Sequence, residues 1–221
     1  MKKSAKLRKP PKPARVRCFF GLEFPLYEQL APLLQDLAQV TEDSVNKLRL
    51  SAAENLHLTL KFLGSIAETQ LAATELIMQQ LAPTHPPLQL HCTGLGLFKN
   101  SLWVGIEENE ELRALADDLD RACALLGIAS EQTVYVPHIT VARFSPAARN
   151  SLSTLIPRYA DKEWGDFQAD QAHLYRSDTL PEGARYSIIS SYKLGAGNQA
   201  PDYSGGSDSI ENPQKIERDL N

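Results

Sequence analysis

Two short stretches hold the side chains best suited to chemistry. Asn55-Leu56-His57-Leu58-Thr59-Leu60-Lys61-Phe62-Leu63-Gly64 alternates strictly, with Leu56, Leu58 and Leu60 on one face and His57, Thr59 and Lys61 on the other. A strand has period two, so His57 and Thr59 project side by side. Alone, a histidine beside a hydroxyl is ordinarily structural. The pattern returns, however, in Val136-Pro137-His138-Ile139-Thr140-Val141-Ala142-Arg143-Phe144. Histidine titrates near neutral pH, so of two converging imidazoles one can accept a proton while the other donates. Such a pair suits in-line displacement at phosphorus, where the nucleophile loses a proton as the leaving oxygen gains one. The Thr59 and Thr140 hydroxyls, with backbone, Arg or Lys donors, would hold the non-bridging oxygens. Neither strand carries Asp, Glu or Cys at ligand spacing, so neither a metal nor a cofactor is expected.

The elements that must position these residues follow from periodicity. A strand is expected over Arg17–Phe24, a helix from Pro25 to about Gln39, and a short strand at Lys47–Leu50. The His57 strand ends at Gly64, and a second helix spans Ala67–Leu81. Leu88–Leu97 and Ser101–Glu107 read as a hairpin. Glu110–Leu126 is a third helix, and residues 146–156 a fourth that Pro157 closes. The last strands are Phe167–Tyr175 and Arg185–Leu194, joined by a turn-rich connector at 178–183. This order predicts an α+β fold with two pseudo-symmetric lobes, roughly 16–106 and 107–196, with strand exchange between them open. Each lobe would be an antiparallel sheet backed by helices, leaving a groove between the lobes for the paired motifs.

With 43% hydrophobic and 23% charged residues among 221, the composition is that of a globular protein. No apolar run is long enough to span a membrane and no secretory signal is evident, so the cytoplasm is the expected location. Cys18, Cys92 and Cys123 lack metal-ligand spacing and read as small buried apolar residues. The net charge of −4 is unevenly spread, because the first seventeen residues hold eight Lys or Arg and no acid. Residues 1–15, rich in proline as well, read as a disordered basic arm suited to a polyanion such as RNA, or as a solubilising tail. Residues 197–221 read as a disordered polar tail. His85 and His173 read as surface or packing residues, and His91 has strand neighbours but no partner motif.

The paired His-x-Thr motifs resemble those of the two-histidine (2H) phosphoesterases, and more closely the bacterial RNA 2′,3′-cyclic phosphodiesterases, also described as 2′–5′ RNA ligases. Arg17-Cys-Phe-Phe-Gly-Leu, Gly94-Leu-Gly-Leu-Phe98, Leu102-Trp-Val-Gly-Ile106, Leu174-Tyr175-Arg-Ser177 and Gly183-Ala-Arg-Tyr186 extend the likeness, in order, over about residues 16–195. The resemblance implies a bilobal α+β monomer. It also implies metal-independent opening of a 2′,3′-cyclic phosphate on RNA, tRNA-like fragments included, to a 2′-phosphomonoester. His57 would be the proton donor, His138 the proton acceptor, and Thr59, Thr140 and Arg143 the phosphate ligands. The reverse reaction would join RNA ends through a 2′–5′ bond. Arg143 lies five positions after His138, an odd offset, and reaches the groove only if the strand bends or bulges. Lys61 has the parity to sit at the groove rim. Arg17, Phe20 and Phe98 are offered as substrate contacts; the aromatics, Phe19 among them, offer a stacking face for a base, with core packing the expected role of at least two of the three. Two other readings stay open: a phosphodiesterase for another cyclic phosphate (a nucleotide or an ADP-ribose derivative), and a non-catalytic RNA-end or nucleotide-binding module. Two intact acid–base motifs argue against the second.

Overall fold

A computed structural model describes residues 13–41, 48–181 and 183–195. β1 (Arg15–Glu23) is followed by a 3₁₀ turn at Glu28–Leu30 and α1 (Ala31–Thr41), which begins later than Pro25. The delay has a packing reason: the chain stays extended to bury Phe24 edge-on against Phe167, at 5.8 Å between ring centres. β2 (Leu48–Leu50) leads through a 3₁₀ turn into β3 (His57–Ala67), and α2 (Leu71–Leu81) follows. β4 (Leu88–Leu97) and β5 (Ser101–Ile106) form the expected hairpin. α3 (Glu110–Leu125) starts at Asn109, whose side chain accepts from the Leu112 amide at 2.8 Å, with Glu110 and Glu111 favourably placed in its first turn. Its apolar stripe buries Leu112, Leu115, Leu119 and Cys123. β6 (His138–Phe144), α4 (Arg149–Ser153), α5 (Ile156–Tyr159), β7 (Glu163–Ala169), β8 (Gln171–Leu180) and β9 (Gly183–Lys193) complete the described chain.

All nine strands of the described residues join one antiparallel sheet in the order β7-β4-β5-β6-β3-β1-β8-β9, with β2 also on β6. At its centre β3 and β6 share a single register pair, Leu58 opposite Ile139. On one side of this seam lie β3, β1, β8 and β9; on the other lie β6, β2, β5, β4 and β7, so the first half unites the first and last strands of the described chain and the second is drawn from its middle. One residue, Asp170, links β7 to β8, although five strands separate them in the sheet. Consecutive Cα atoms are about 3.8 Å apart, so the sheet must curl until its two ends meet. Leu194 N–H donates to Asp170 O at 2.8 Å, and Gly195 N–H to His85 O at 2.6 Å, close to that junction. Leu58 and Ile139 are fully buried on the core side, where α1 contributes Leu33 and Leu37 and α3 its stripe. The opposite, concave face is a groove that, among the described residues, none of α1–α5 lines.

The α+β class is as expected; several boundaries differ. The expected strand Phe167–Tyr175 is two strands broken at Asp170, because β7 pairs with β4 and β8 with β1. Gly64 does not end β3. It adopts φ +67°, Leu63 is left unpaired as a bulge, and the strand continues to Ala67. Pro157 sits in the first turn of α5, where its missing N–H leaves no bond unmade, instead of closing a helix. The connector at 178–183 is largely strand, since β8 runs to Leu180 and β9 starts at Gly183. The basic arm lies outside the described residues for 1–12, whereas Ala14 and Arg15 already belong to the fold, Ala14 O accepting from Glu68 N–H at 3.0 Å. The polar tail also lies outside the described residues.

Candidate active site

The seam places both motifs on the groove floor. Residues flanking Leu58 and Ile139 point away from the core, so His57, Thr59, His138 and Thr140 all line one groove of about 1320 Å³. Each strand then slips phase immediately after its threonine. In β6, Thr140 pairs with Trp103 and Ala142 with Leu102, leaving Val141 as a bulge. Val141 and Ala142 are both buried, and Arg143 swings onto the groove face. In β3, Thr59 pairs with Gly21 and Lys61 with Phe20, so Leu60 is the bulge and Phe62 is the residue delivered to the groove, 47% exposed. Arg143 and Phe62 thus occupy equivalent places on the two strands. Gly21 allows the close approach: a Cβ there would lie 2.8 Å from Leu58 O.

The two histidines are held alike. His57 Nδ1 lies 2.7 Å from Asn55 O and His138 Nδ1 lies 2.7 Å from Val136 O. A carbonyl only accepts, so each Nδ1 carries the proton and each neutral ring keeps a bare Nε2. Aromatic rings flank both: Phe19 at 4.6 Å and Tyr186 edge-on at 4.8 Å beside His57, Phe98 edge-on at 4.9 Å beside His138. Trp103 stands 6.0 Å from His138, over Gly96, where a Cβ would fall 2.1 Å from the indole. This dry setting lowers the His57 pKa to about 4; the bond to Asn55 O opposes the shift, and the charges of His138 and Arg143 reinforce it. Burial likewise lowers His138, with the bond to Val136 O opposing and Arg143 reinforcing. In the free protein both rings are therefore neutral at pH 7.

Among the described residues, Arg17, Arg49, Lys99, Arg143 and Arg185 line the groove against one acid, Glu54, in a chain whose net charge is −4. Low-dielectric walls focus such a field on an anion. Among the offered substrate contacts, Arg17 lines the groove and Phe98, 37% exposed, sits at its edge. Phe20 is corrected: it is fully buried in the core, while its neighbour Phe19, one residue out of phase, faces the groove. Lys61 is corrected too. The Leu60 bulge turns it inward, where it is 2% exposed, pairs with Asp120 at 2.6 Å and donates to Ala129 O at 2.7 Å. Sequence pattern assigns no role to Phe62 or Tyr186, which also line the groove, and strict alternation sends Phe62 to the wrong face.

The remaining histidines, Cys92 and Cys123 lie away from the groove, while Cys18 is buried in its wall. His85 bonds Asp118 at 3.0 Å, His173 bonds Ser191 at 2.8 Å, and His91 bridges Asp166 and Glu163 across β4 and β7. All three cysteines are buried free thiols whose pKa values burial raises, to about 11, 12 and 11 for Cys18, Cys92 and Cys123.

Comparison with known proteins follows the same outline. A family model described as the 2′-5′ RNA ligase superfamily matches residues 27–180. A protein of Methanothermobacter thermautotrophicus named RNA 2′,3′-cyclic phosphodiesterase is 28% identical over 186 residues, covering 81% of this chain and all of that one. An Aquifex aeolicus protein of the same name is 30% identical over 149 residues, 64% of this chain and 79% of that one. Among solved structures, E. coli LigT complexed with 3′-AMP superposes with a TM-score of 0.67 at 25% identity, covering 82% of this chain and 99% of LigT. With the matched model spanning both motif strands and the curled sheet shared with LigT, the chain belongs to the 2′-5′ RNA ligase superfamily.

Proposed function

We propose that the protein opens the 2′,3′-cyclic phosphate at the end of an RNA to a 2′-phosphomonoester by proton transfer between His138, water, substrate and His57, without a metal. The carrying observation is the matched pair of histidines, each with Nδ1 committed to a backbone carbonyl and Nε2 left for the shared groove. His138 Nε2 takes a proton from water as its oxygen bonds to phosphorus. His57 Nε2 gives a proton to the 3′ oxygen as the P–O3′ bond breaks. Arg143 and the two threonine hydroxyls hold the non-bridging oxygens while charge builds on them. His57 must be charged to act as the acid, although its free value is near 4. The substrate supplies the remedy: its phosphate anion offsets the Arg143 charge and favours an imidazolium beside it, so binding and protonation are linked.

Three features support RNA as the substrate: the relatives' names, the cationic lining, and the exposed rings of Phe62 and Phe98 at the groove. A 5′-hydroxyl in place of water would give a 2′–5′ linkage by the same transfers, which is the ligation expected by microscopic reversibility.

The test is turnover of an oligonucleotide ending in a 2′,3′-cyclic phosphate, in EDTA, beside the cyclic mononucleotide. A 2′-phosphate product at undiminished rate in chelator is expected. A 3′-phosphate product would reverse the leaving group, loss of activity in EDTA would overturn the metal-free reading, and turnover of the mononucleotide alone would remove RNA as the substrate.

A further inference from the structure

The seam between β3 and β6 leaves few bonds to keep the two motifs in register, and two side-chain hydroxyls make up the deficit. Tyr135, in the loop that leads to His138, donates its hydroxyl to Thr59 O at 2.9 Å. Ser51, in the loop that leads to His57, donates to Thr140 O at 2.8 Å, and its amide to Val141 O at 2.9 Å. Each loop that precedes one histidine is thus fastened to the threonine of the other motif. The accepting carbonyls sit where the Leu60 and Val141 bulges interrupt the ladders, so a partner from outside the sheet meets a real need.

We infer that Tyr135 and Ser51 are positioning residues that hold each catalytic histidine in register with the opposite strand, Tyr135 doing so by fixing the carbonyl that selects the His138 tautomer. Tyr135 is joined directly to Val136, whose carbonyl accepts the His138 Nδ1 proton. The same loop is tied further back, where Lys61 Nζ reaches Ala129 O at 2.7 Å and Glu131 N–H donates to Asp120 Oδ1 at 3.1 Å. Ser51 stands four residues before Asn55, the carbonyl partner of His57; Asn55 is itself fastened to β9, its Nδ2 donating to Ala184 O and its Oδ1 accepting from Tyr186 N–H, both at 3.2 Å. Tyr135 is therefore the stronger lever. Burial raises its hydroxyl pKa well above the ordinary value, so it remains a donor at any working pH.

The inference rests on the acid–base reading of His57 and His138, and its test separates the two. Tyr135→Phe keeps the ring and removes only the donor. One hydrogen bond in a chain of this size is worth a fall in Tm of roughly 2–4 °C. Nitrogen-15 NMR of histidine-labelled protein reads the His138 tautomer without turnover, and steady-state kinetics read its use. The expected result for Tyr135→Phe is a loss of about tenfold in kcat with KM within twofold, and a His138 ring that becomes a mixture of tautomers while His57 stays unchanged. Ser51→Ala should lower kcat by a few-fold, and Ser51→Thr, which keeps the hydroxyl, should restore it. An unaltered His138 tautomer in a folded Tyr135→Phe protein would overturn the inference, whether or not the wild type turns over. An inactive wild type would instead overturn the proposed reaction and leave the tautomer reading to decide the positioning role.

Discussion

At the scale of residues the site depends on three kinds of group: two imidazoles, an anion cradle and aromatic walls. His57→Ala and His138→Ala should each reduce kcat by about 10²–10⁴-fold, the ordinary worth of a general acid or base. Far-UV circular dichroism should be unchanged, because both rings face the groove. Retention of wild-type turnover by either variant would end the acid–base assignment. Arg143→Ala removes a charged donor and should raise KM some 10- to 100-fold, the equivalent of about 1.5–3 kcal/mol; an unchanged KM would place its charge elsewhere in the cycle. The pH dependence follows from the depressed histidines. In the free protein the productive form has His57 protonated and His138 neutral, and above pH 4 the protonated share of His57 falls about tenfold per pH unit. Both values lie below the usual 6.5, so kcat/KM should peak below pH 6.5 and decline above it. The kcat profile, which reports the complex, should lie at higher pH because the bound anion raises both rings. A kcat/KM maximum at pH 7.5 would contradict this.

At the scale of elements the decisive feature is the bulge after each threonine. Strict alternation makes His57–Thr59 and His138–Thr140 legible in the sequence, since those pairs lie before any slip. It fails at Lys61, Phe62 and Arg143, which lie beyond one. A bulge has no composition of its own here: Leu60 and Val141 are ordinary strand residues, and only the partner strand's register reveals them. The Asp170 break is hidden for a similar reason, because Phe167 to Tyr175 alternates well enough to pass for one strand. Which residue of the buried Phe19–Phe20 pair turns toward the groove is likewise a matter of register. Lys61→Ala tests the inward turn. It strands Asp120 beside a buried space and should cost about 3 kcal/mol of stability, seen in urea unfolding, whereas a side chain at the groove rim would cost almost nothing. Gly96→Ala probes the His138 wall, since its Cβ would overlap the Trp103 indole. Expected are a loss of about 1–3 kcal/mol from overpacking and a lower kcat as Trp103 and Phe98 shift; wild-type stability and kcat would show that the indole has room to move.

At the scale of the whole molecule the curled sheet makes one groove from strands that are distant in sequence. The α+β class and the repeated motif are readable from pattern, but the interleaving of β1, β3, β8 and β9 is not, because strand pairing depends on long-range partners that leave no local signal. Charge is also organised at this scale. Among the described residues five cations line the groove, and six more, Lys2, Lys3, Lys6, Arg8, Lys9 and Lys12, precede the described residues. If those six meet phosphates, removing residues 1–12 should flatten the dependence of single-stranded RNA affinity on log salt by up to about 0.7 for each phosphate no longer neutralised, while a cyclic mononucleotide binds as before. Identical salt slopes for full-length and truncated protein would assign the arm to solubility alone. The central claim, that His57 gives a proton to the leaving 3′ oxygen while His138 takes one from water, is tested most directly by replacing that oxygen with sulfur, a leaving group that needs no acid. Hydrolysis of the 3′-sulfur cyclic substrate should be restored in His57→Ala to within roughly tenfold of the wild type, and should stay lost in His138→Ala. Rescue of His138→Ala in place of His57→Ala, or of neither variant, would contradict the account.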